Sequence, residues 1–231
     1  GGAPAEAVLR GMYYPGLLER RHNVKFPLAI AMENQTQPLG LSSLWAGSGA
    51  KYSWKGVCNC ATKVEGLENR DREIYYAGGL DGSKILMKWH SQYSIPGVGF
   101  NQGFGGYAEA FDPLLSIQFA ENNATFQSRY PYPVIGAFGR GFDDLQYLSD
   151  EFVTIAQNNT NPNRRIVVSN QEDFFVDFEN AYGSEIETFS ASFGNEWDVL
   201  VASMAELSAK LKRSTEKPRR LYCSYIATGI R

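Results

Sequence analysis

The chain has 231 residues, of which 43% are hydrophobic and 13% aromatic, and this composition supports a sizeable core and excludes a disordered chain. Its 22 basic and 25 acidic residues give a net charge of −3, which offers no positive surface to nucleic acid or anionic lipid. No apolar run approaches the roughly 20 residues of a membrane span, and three cysteines are too few for a disulfide framework. We therefore expect one or two folded domains that bind neither nucleic acid nor membranes.

The first half of the chain is predicted to contain both helices and strands. Hydrophobic spacing and turn residues predict these elements in chain order: a helix over 4–22 interrupted at Pro15, a strand over 26–32, a helix over 39–49 and a strand over 50–54. Residues 72–76 and 84–89 flank the glycine-rich turn Gly78–Gly82, which predicts a β-hairpin or two strands joined by a short loop. Residues 94–106 are rich in Gly, Asn and Gln and are predicted to form a loop.

The second half continues the alternation. The predicted elements are a helix over 107–119, a strand over 132–138, a helix over 148–157, a strand over 165–169, a helix over 171–182 and a helix over 196–212 that a basic segment follows. This order predicts an α/β fold with a largely parallel sheet, either open or rolled into a barrel. We expect this domain over residues 1–190 and a C-terminal helical segment, residues 191–231, packed on it.

Polar residues directly after the predicted strands are the first candidates for a site, because α/β folds of this type bind ligands at the carboxyl ends of their strands. Strand by strand, these candidates are Glu33, then Trp89 and His90, and finally Asp143, Asp144 and Gln146. A pair of carboxyl groups can cleave a glycosidic bond, since one attacks the anomeric carbon or activates water while the other protonates the leaving oxygen. The alternative is structural: acidic residues at helix N-termini are favoured by roughly 0.3–1 kcal/mol each.

Aromatic and histidine residues give further hints. Trp54, Trp89 and Trp197 lie in or beside predicted loops, where flat rings suit the faces of sugars, although such rings are also common in cores. His90 can be a structural hydrogen-bonding residue as well as part of a site, and two histidines without a Cys/His cluster do not support a self-contained zinc site.

Three Asn-x-Thr triplets match the pattern of glycosylation acceptors. They begin at Asn34, Asn123 and Asn158, although a chain rich in Asn and Thr also produces such triplets by chance. The triplets favour a secreted protein, and we expect a secreted or periplasmic location.

Three segments carry a resemblance to a known family. Residues 32–52 resemble a Pro-Asp-(Thr/Ser)-Phe-Gly-His segment followed by a helix and Gly-Ile-Lys-Tyr, and residues 81–90 resemble an Asp-Gly-Ser turn with the strand after it. Asp144-Leu-Gln-Tyr147 resembles Asp-Phe-Gln-Tyr or Asp-Phe-Arg-Tyr. These are segments of the catalytic domain of glycoside hydrolase family 38, the α-mannosidases, and of uncharacterised proteins related to it. Weaker similarity continues to residue 197.

The resemblance implies a (β/α)7-barrel-like fold and a retaining, α-mannosidase-like hydrolase. Glu33 falls where the family has its nucleophilic aspartate, and Asp144 matches the general acid/base, so we expect their carboxyl groups about 5–5.5 Å apart. Asp143 is expected to raise the proton affinity of Asp144 through like-charge repulsion. The residues expected to bind the carbohydrate substrate are Asp143, Gln146, Trp54, Trp89, His90 and Trp197.

The chain departs from the family at the metal site. The family's zinc is bound by a His-x-Asp on the first strand, by the nucleophile and by a later histidine, and both histidine sites are absent here. The chain therefore resembles the middle of a barrel without its first strand: a fragment, a shortened relative, or a chain completed by a second chain or by a homo-oligomer. A non-catalytic glycan-binding or structural domain that lost the metal is the main alternative. A polysaccharide deacetylase also needs a metal, so it ranks last.

Overall fold

A computed structural model of the chain describes residues 5–31, 37–55, 73–89, 113–136, 150–192 and 202–227. The helices in these ranges are α1 (Ala5–Gly11), α2 (Tyr13–His22), α3 (Leu41–Gly47), α4 (Pro113–Asn122), α5 (Ala124–Arg129), α6 (Glu151–Asn159), α7 (Gln171–Tyr182) and α8 (Ala205–Ala227). The strands are β1 (Leu28–Ala31), β2 (Tyr52–Lys55), β3 (Ile74–Gly78), β4 (Lys84–Trp89) and β5 (Thr188–Phe189). The prediction of a mixed α/β fold is confirmed.

The five strands form one sheet in the order β1-β2-β4-β3-β5. Strands β1, β2 and β4 are parallel, β3 and β4 form the predicted antiparallel hairpin, and β5 runs parallel to β3, so the sheet is mostly parallel, as predicted. The register places Ala31 beside Lys55 and Lys55 beside Trp89. We call the end of the sheet formed by these three residues the carboxyl end.

One face of the sheet packs against α7. The side chain of Asn170 accepts a hydrogen bond from the backbone N–H of Asp173 and so caps the first turn of this helix. Phe175 and Phe178 then fall on one side of α7, and both are fully buried. The ring of Phe175 stacks on that of Tyr52 in β2, with the ring centroids 5.3 Å apart. This packing places the first residues of α7 near β2.

The opposite face of the sheet packs against α3. Alternate residues of the hairpin, Tyr75 and Ala77 on β3 and Ile85 and Met87 on β4, form a second buried cluster with Trp45 of α3. Because helices cover both faces, all five residues of β3 are buried. The hairpin is therefore the centre of the fold.

Two predicted strands are wrong in the residues that the structure describes. Residues 132–136 of the predicted strand over 132–138 are not in a strand, because Pro131 and Pro133 remove backbone donors that a ladder requires. Residues 165–169 are not in a strand either, and Val167 and Val168 are 61% and 50% exposed. The valines of this run have a high β-propensity, but no strand in the described part of the chain pairs with them, so the tertiary context overrides the propensity.

The helices also differ from prediction in their ends. The N-terminal helix is interrupted at Met12 instead of Pro15, which lies in the first turn of α2, where proline is tolerated. At the other end, α8 continues through the basic segment and Pro218 to Ala227. The predicted loop over 94–106 lies outside the described residues. None of the helices in the described ranges has both the length and the hydrophobicity that a membrane crossing requires.

Candidate active site at the carboxyl end of the sheet

Most of the site residues predicted from the sequence lie outside the described ranges. These residues are Glu33, His90, Asp143, Asp144, Gln146 and Trp197. The convergence of Glu33 and Asp144 on one cleft therefore stays a prediction. Of the remaining two, Trp89 is the last residue of β4, at the carboxyl end, and Trp54 lies in β2.

Trp54 is a core residue in this structure. It is 3% exposed, and its indole Nε1 donates a hydrogen bond to Oε1 of Gln171, 2.7 Å away. Trp54 lies within β2, in the region of the predicted strand over 50–54; β2 is paired on both sides, and alternation along the strand turns Trp54 towards α7. The hydrogen bond joins the first residue of α7 to the sheet next to its carboxyl end.

A buried pair of opposite charges lies beside Trp54. Lys88 is the register neighbour of Trp54 on β4, and its ammonium Nζ is 3.6 Å from Oε2 of Glu73, the residue directly before β3. The lysine is 1% exposed and the glutamate is fully buried. Since Ile74 pairs with Lys88, Glu73 is also at the carboxyl end of the sheet. A carboxylate and an ammonium are thus held together where α/β folds bind ligands.

An aromatic ring faces the same ammonium. Nζ of Lys88 lies 5.2 Å from the centroid of the Tyr130 ring, within the range of a cation–π interaction. Tyr130 is 2% exposed and donates its hydroxyl proton to the backbone oxygen of Val134. Burial raises the pKa of Tyr130 well above its ordinary value, and Tyr132 and the carboxylate of Glu73 raise it further. Tyr130 is therefore a neutral hydrogen-bond donor next to the charged pair.

Reasoning from the sequence missed this pair, although a signal was present. The run from Lys84 to Trp89 was correctly predicted as a strand, and Lys88 stands within its apolar stretch, where a charged residue requires a buried partner. The partner could not be identified without the register of β3 against β4, which sets Glu73 beside it.

A second carboxylate is held further from the carboxyl end. The two side-chain oxygens of Glu179 on α7 accept hydrogen bonds from the hydroxyls of Tyr52 and Tyr76, each 2.8 Å long. Burial, and then the hydrogen bond to Glu179, raise the pKa of Tyr52, and the same causes raise the pKa of Tyr76 to about 12. The ammonium of Lys84 lies 3.8 Å from the centroid of the Tyr76 ring. This arrangement uses both carboxylate oxygens to fasten α7 to two strands.

Gln37 adds a polar group after β1. It is the first described residue beyond the stretch that contains Glu33, and it is 2% exposed. Its side-chain oxygen Oε1 has no hydrogen-bond partner among the described residues.

Glu33, which the resemblance implies as a zinc ligand, lies outside the described residues. The described residues contain no group of three His, Cys, Asp or Glu side chains that could hold a metal ion. Their one histidine, His22, is exposed at the end of α2. A scan of the chain against protein-family models finds no match, and no curated protein matches it.

Proposed function

We propose that the chain is a carbohydrate-active hydrolase that cleaves glycosidic bonds at the carboxyl end of the sheet, with retention of anomeric configuration and with an α-mannoside as the first candidate substrate. The register of the parallel strands carries the proposal, because Ala31 and Trp89 flank Lys55 at one end of the sheet. In the sequence, Glu33 follows Ala31 by two positions and His90 follows Trp89 directly. In this proposal the sheet is the described part of a (β/α)7-barrel-like fold.

The buried charges near this end support a functional role for it. Ionisable groups that are withdrawn from water occur often at active sites, although purely structural pairs also occur. Glu73 and Lys88 are too buried to contact a substrate from their present positions. Their proposed role is to hold the start of β3 against the end of β4, the strand that ends at Trp89 and that His90 follows in the sequence.

The proposed reaction uses two carboxyl groups in two steps. In the first, the Glu33 carboxylate attacks the anomeric carbon while Asp144 transfers its proton to the leaving oxygen, and the glycosidic C–O bond breaks. In the second, Asp144 takes a proton from water, whose oxygen attacks the same carbon and releases Glu33. Asp143 favours the protonated form of Asp144, since two adjacent negative charges repel each other.

The test is hydrolysis of a panel of aryl glycosides that begins with aryl α-mannosides. Glu33→Gln and Asp144→Asn should each lower kcat/KM by at least about 100-fold, because each removes a group that acts in the transition state. Glu172→Gln and Asp177→Asn are matched controls, since both acids are exposed on α7, and they should leave kcat/KM unchanged.

Two outcomes would contradict the proposal. The first is full activity of the Asp144→Asn protein, which would remove the general acid. The second is binding of glycans without hydrolysis of any glycoside in the panel, which would favour the non-catalytic glycan-binding domain instead.

A further inference from the structure

The C-terminal helix exposes large apolar side chains along one line. Met204, directly before α8, and Leu207, Leu211 and Leu221 are 57%, 57%, 65% and 71% exposed. We call these four residues the α8 stripe. Their spacings of three, four and ten residues keep them on one side of the helix, over a length of about 26 Å.

The half-buried side of α8 is the opposite one. Among residues 205–218, the half-buried positions are Ser208, Ala209 and Glu216, which lie roughly 100–200° around the helix from Leu207. The leucines of this helix are thus among its exposed residues, whereas an ordinary surface helix turns such residues towards the core. An exposed apolar stripe of this kind marks an interaction surface.

The width of the stripe and the charges beside it indicate which kind of partner would fit it. Alternating spacings of three and four form the narrow seam of helix-to-helix packing, and Ser214 and Pro218 continue the same register between Leu211 and Leu221. From Ala205 to Ala227 the helix has six basic and two acidic residues, a net charge of +4 in a chain whose net charge is −3. A second copy of α8 would bring like charges together, whereas an acidic helix would be attracted.

We propose that the α8 stripe is the docking surface for an amphipathic helix whose apolar seam is flanked by acidic residues. The leucines of the stripe supply the contact area, and the basic residues beside them select an acidic partner. A lipid surface fits less well, because a helix that lies in a membrane interface presents a wider apolar face.

The test uses two synthetic helical peptides, each about four heptads long with leucine at both seam positions. One carries Glu at the positions beside the seam and the other carries Lys. Titration of the full chain into labelled peptide, followed by fluorescence anisotropy, should show saturable binding of the Glu peptide and at least about tenfold weaker binding of the Lys peptide.

Two variants distinguish binding at the α8 stripe from nonspecific hydrophobic binding elsewhere on the surface. Leu207→Ser combined with Leu211→Ser should weaken binding of the Glu peptide at least about tenfold, with an unchanged Tm because both side chains are exposed. Leu80→Ser is the matched control, since Leu80 is 82% exposed in the turn between β3 and β4, and it should bind the Glu peptide like the parent.

Three results would overturn the proposal. One is absent or equal binding of the Glu and Lys peptides. Another is self-association of the parent chain in sedimentation that the double variant abolishes, which would assign the stripe to a second copy. The last is sedimentation with vesicles of phosphatidylserine in preference to the Glu peptide, which would assign it to a lipid surface.

Discussion

Removing one charge of the Glu73–Lys88 pair should destabilise the fold strongly, and removing both should destabilise it less than the two single changes together. At an effective dielectric constant of about 20, two unit charges 3.6 Å apart attract each other by about 5 kcal/mol, which offsets part of the free energy lost when both leave water. Breaking such a pair costs about 3–5 kcal/mol, a large share of the roughly 5–15 kcal/mol that stabilises a typical domain.

The assay is urea unfolding of the parent, Glu73→Gln, Lys88→Met and the double variant, followed by tryptophan fluorescence. From these four proteins we expect a coupling free energy of at least about 1.5 kcal/mol. If a single variant does not fold, Glu73→Asp and Lys88→Arg keep the charges and should be less destabilised than the charge-removing variants.

A second pair on the same chain provides the control for this cycle. Glu206 and Lys210 lie 2.6 Å apart on α8, but their side chains are 81% and 63% exposed. Their coupling should be about 0.5 kcal/mol or less, because solvent screens exposed charges. A coupling between Glu73 and Lys88 no larger than that between Glu206 and Lys210 would refute the reasoning.

Three further predictions concern α7 and Tyr76, the β3 tyrosine bonded to it. Glu179→Gln should lower the pKa of Tyr76 from about 12, since it removes a negative charge and a hydrogen-bond acceptor. The chain has 13 tyrosines, so the pKa of Tyr76 is taken from the difference between ultraviolet titrations of tyrosinate with and without Tyr76→Phe, and an unchanged value would contradict the prediction. The folded-state pKa of Tyr76 lies above its unfolded value, so the contribution of Tyr76 to stability is complete below a pH of about 10 and is lost as the pH rises towards 12. In urea unfolding, the free energy of unfolding of Tyr76→Phe should therefore decrease less over this pH range than that of the parent. Phe178→Ala should cost about 3–5 kcal/mol of unfolding free energy, whereas Val176→Ala, at a 37% exposed position, should cost clearly less, and equal losses would contradict the packing described for α7.

Much of the secondary structure could be predicted from the sequence because local signals and tertiary context agree there. Helix α7 has both an N-cap in Asn170 and phenylalanines at helical spacing, and its predicted bounds match those observed. The hairpin of β3 and β4 has a glycine-rich turn between two apolar runs. The run over 165–169, by contrast, has β-propensity, but none of the strands in the described ranges pairs with it.

The site was less predictable, because proximity in a sheet depends on strand order and register. The sequence indicated that polar residues follow β1 and β4, and the parallel arrangement of these strands, with β2 between them, brings their carboxyl ends to one end of the sheet. The pairing of Glu73 with Lys88 depends on Ile74 standing opposite Lys88, which a pattern of hydrophobic residues does not specify. The burial of Trp54 was not predictable from its residue type, because a ring suited to sugars also suits a core.

The most direct measurement is covalent trapping of the proposed nucleophile. The chain is incubated with a fluorinated α-mannosyl fluoride, a reagent whose glycosyl ester with the enzyme forms quickly and hydrolyses slowly. The protein is then digested, and the masses of its peptides are measured by mass spectrometry. The proposal predicts one added glycosyl group on the peptide that contains Glu33, and none in the Glu33→Gln protein. A glycosyl group found on a different carboxylate, or no labelling of a chain that hydrolyses aryl α-mannosides, would contradict it.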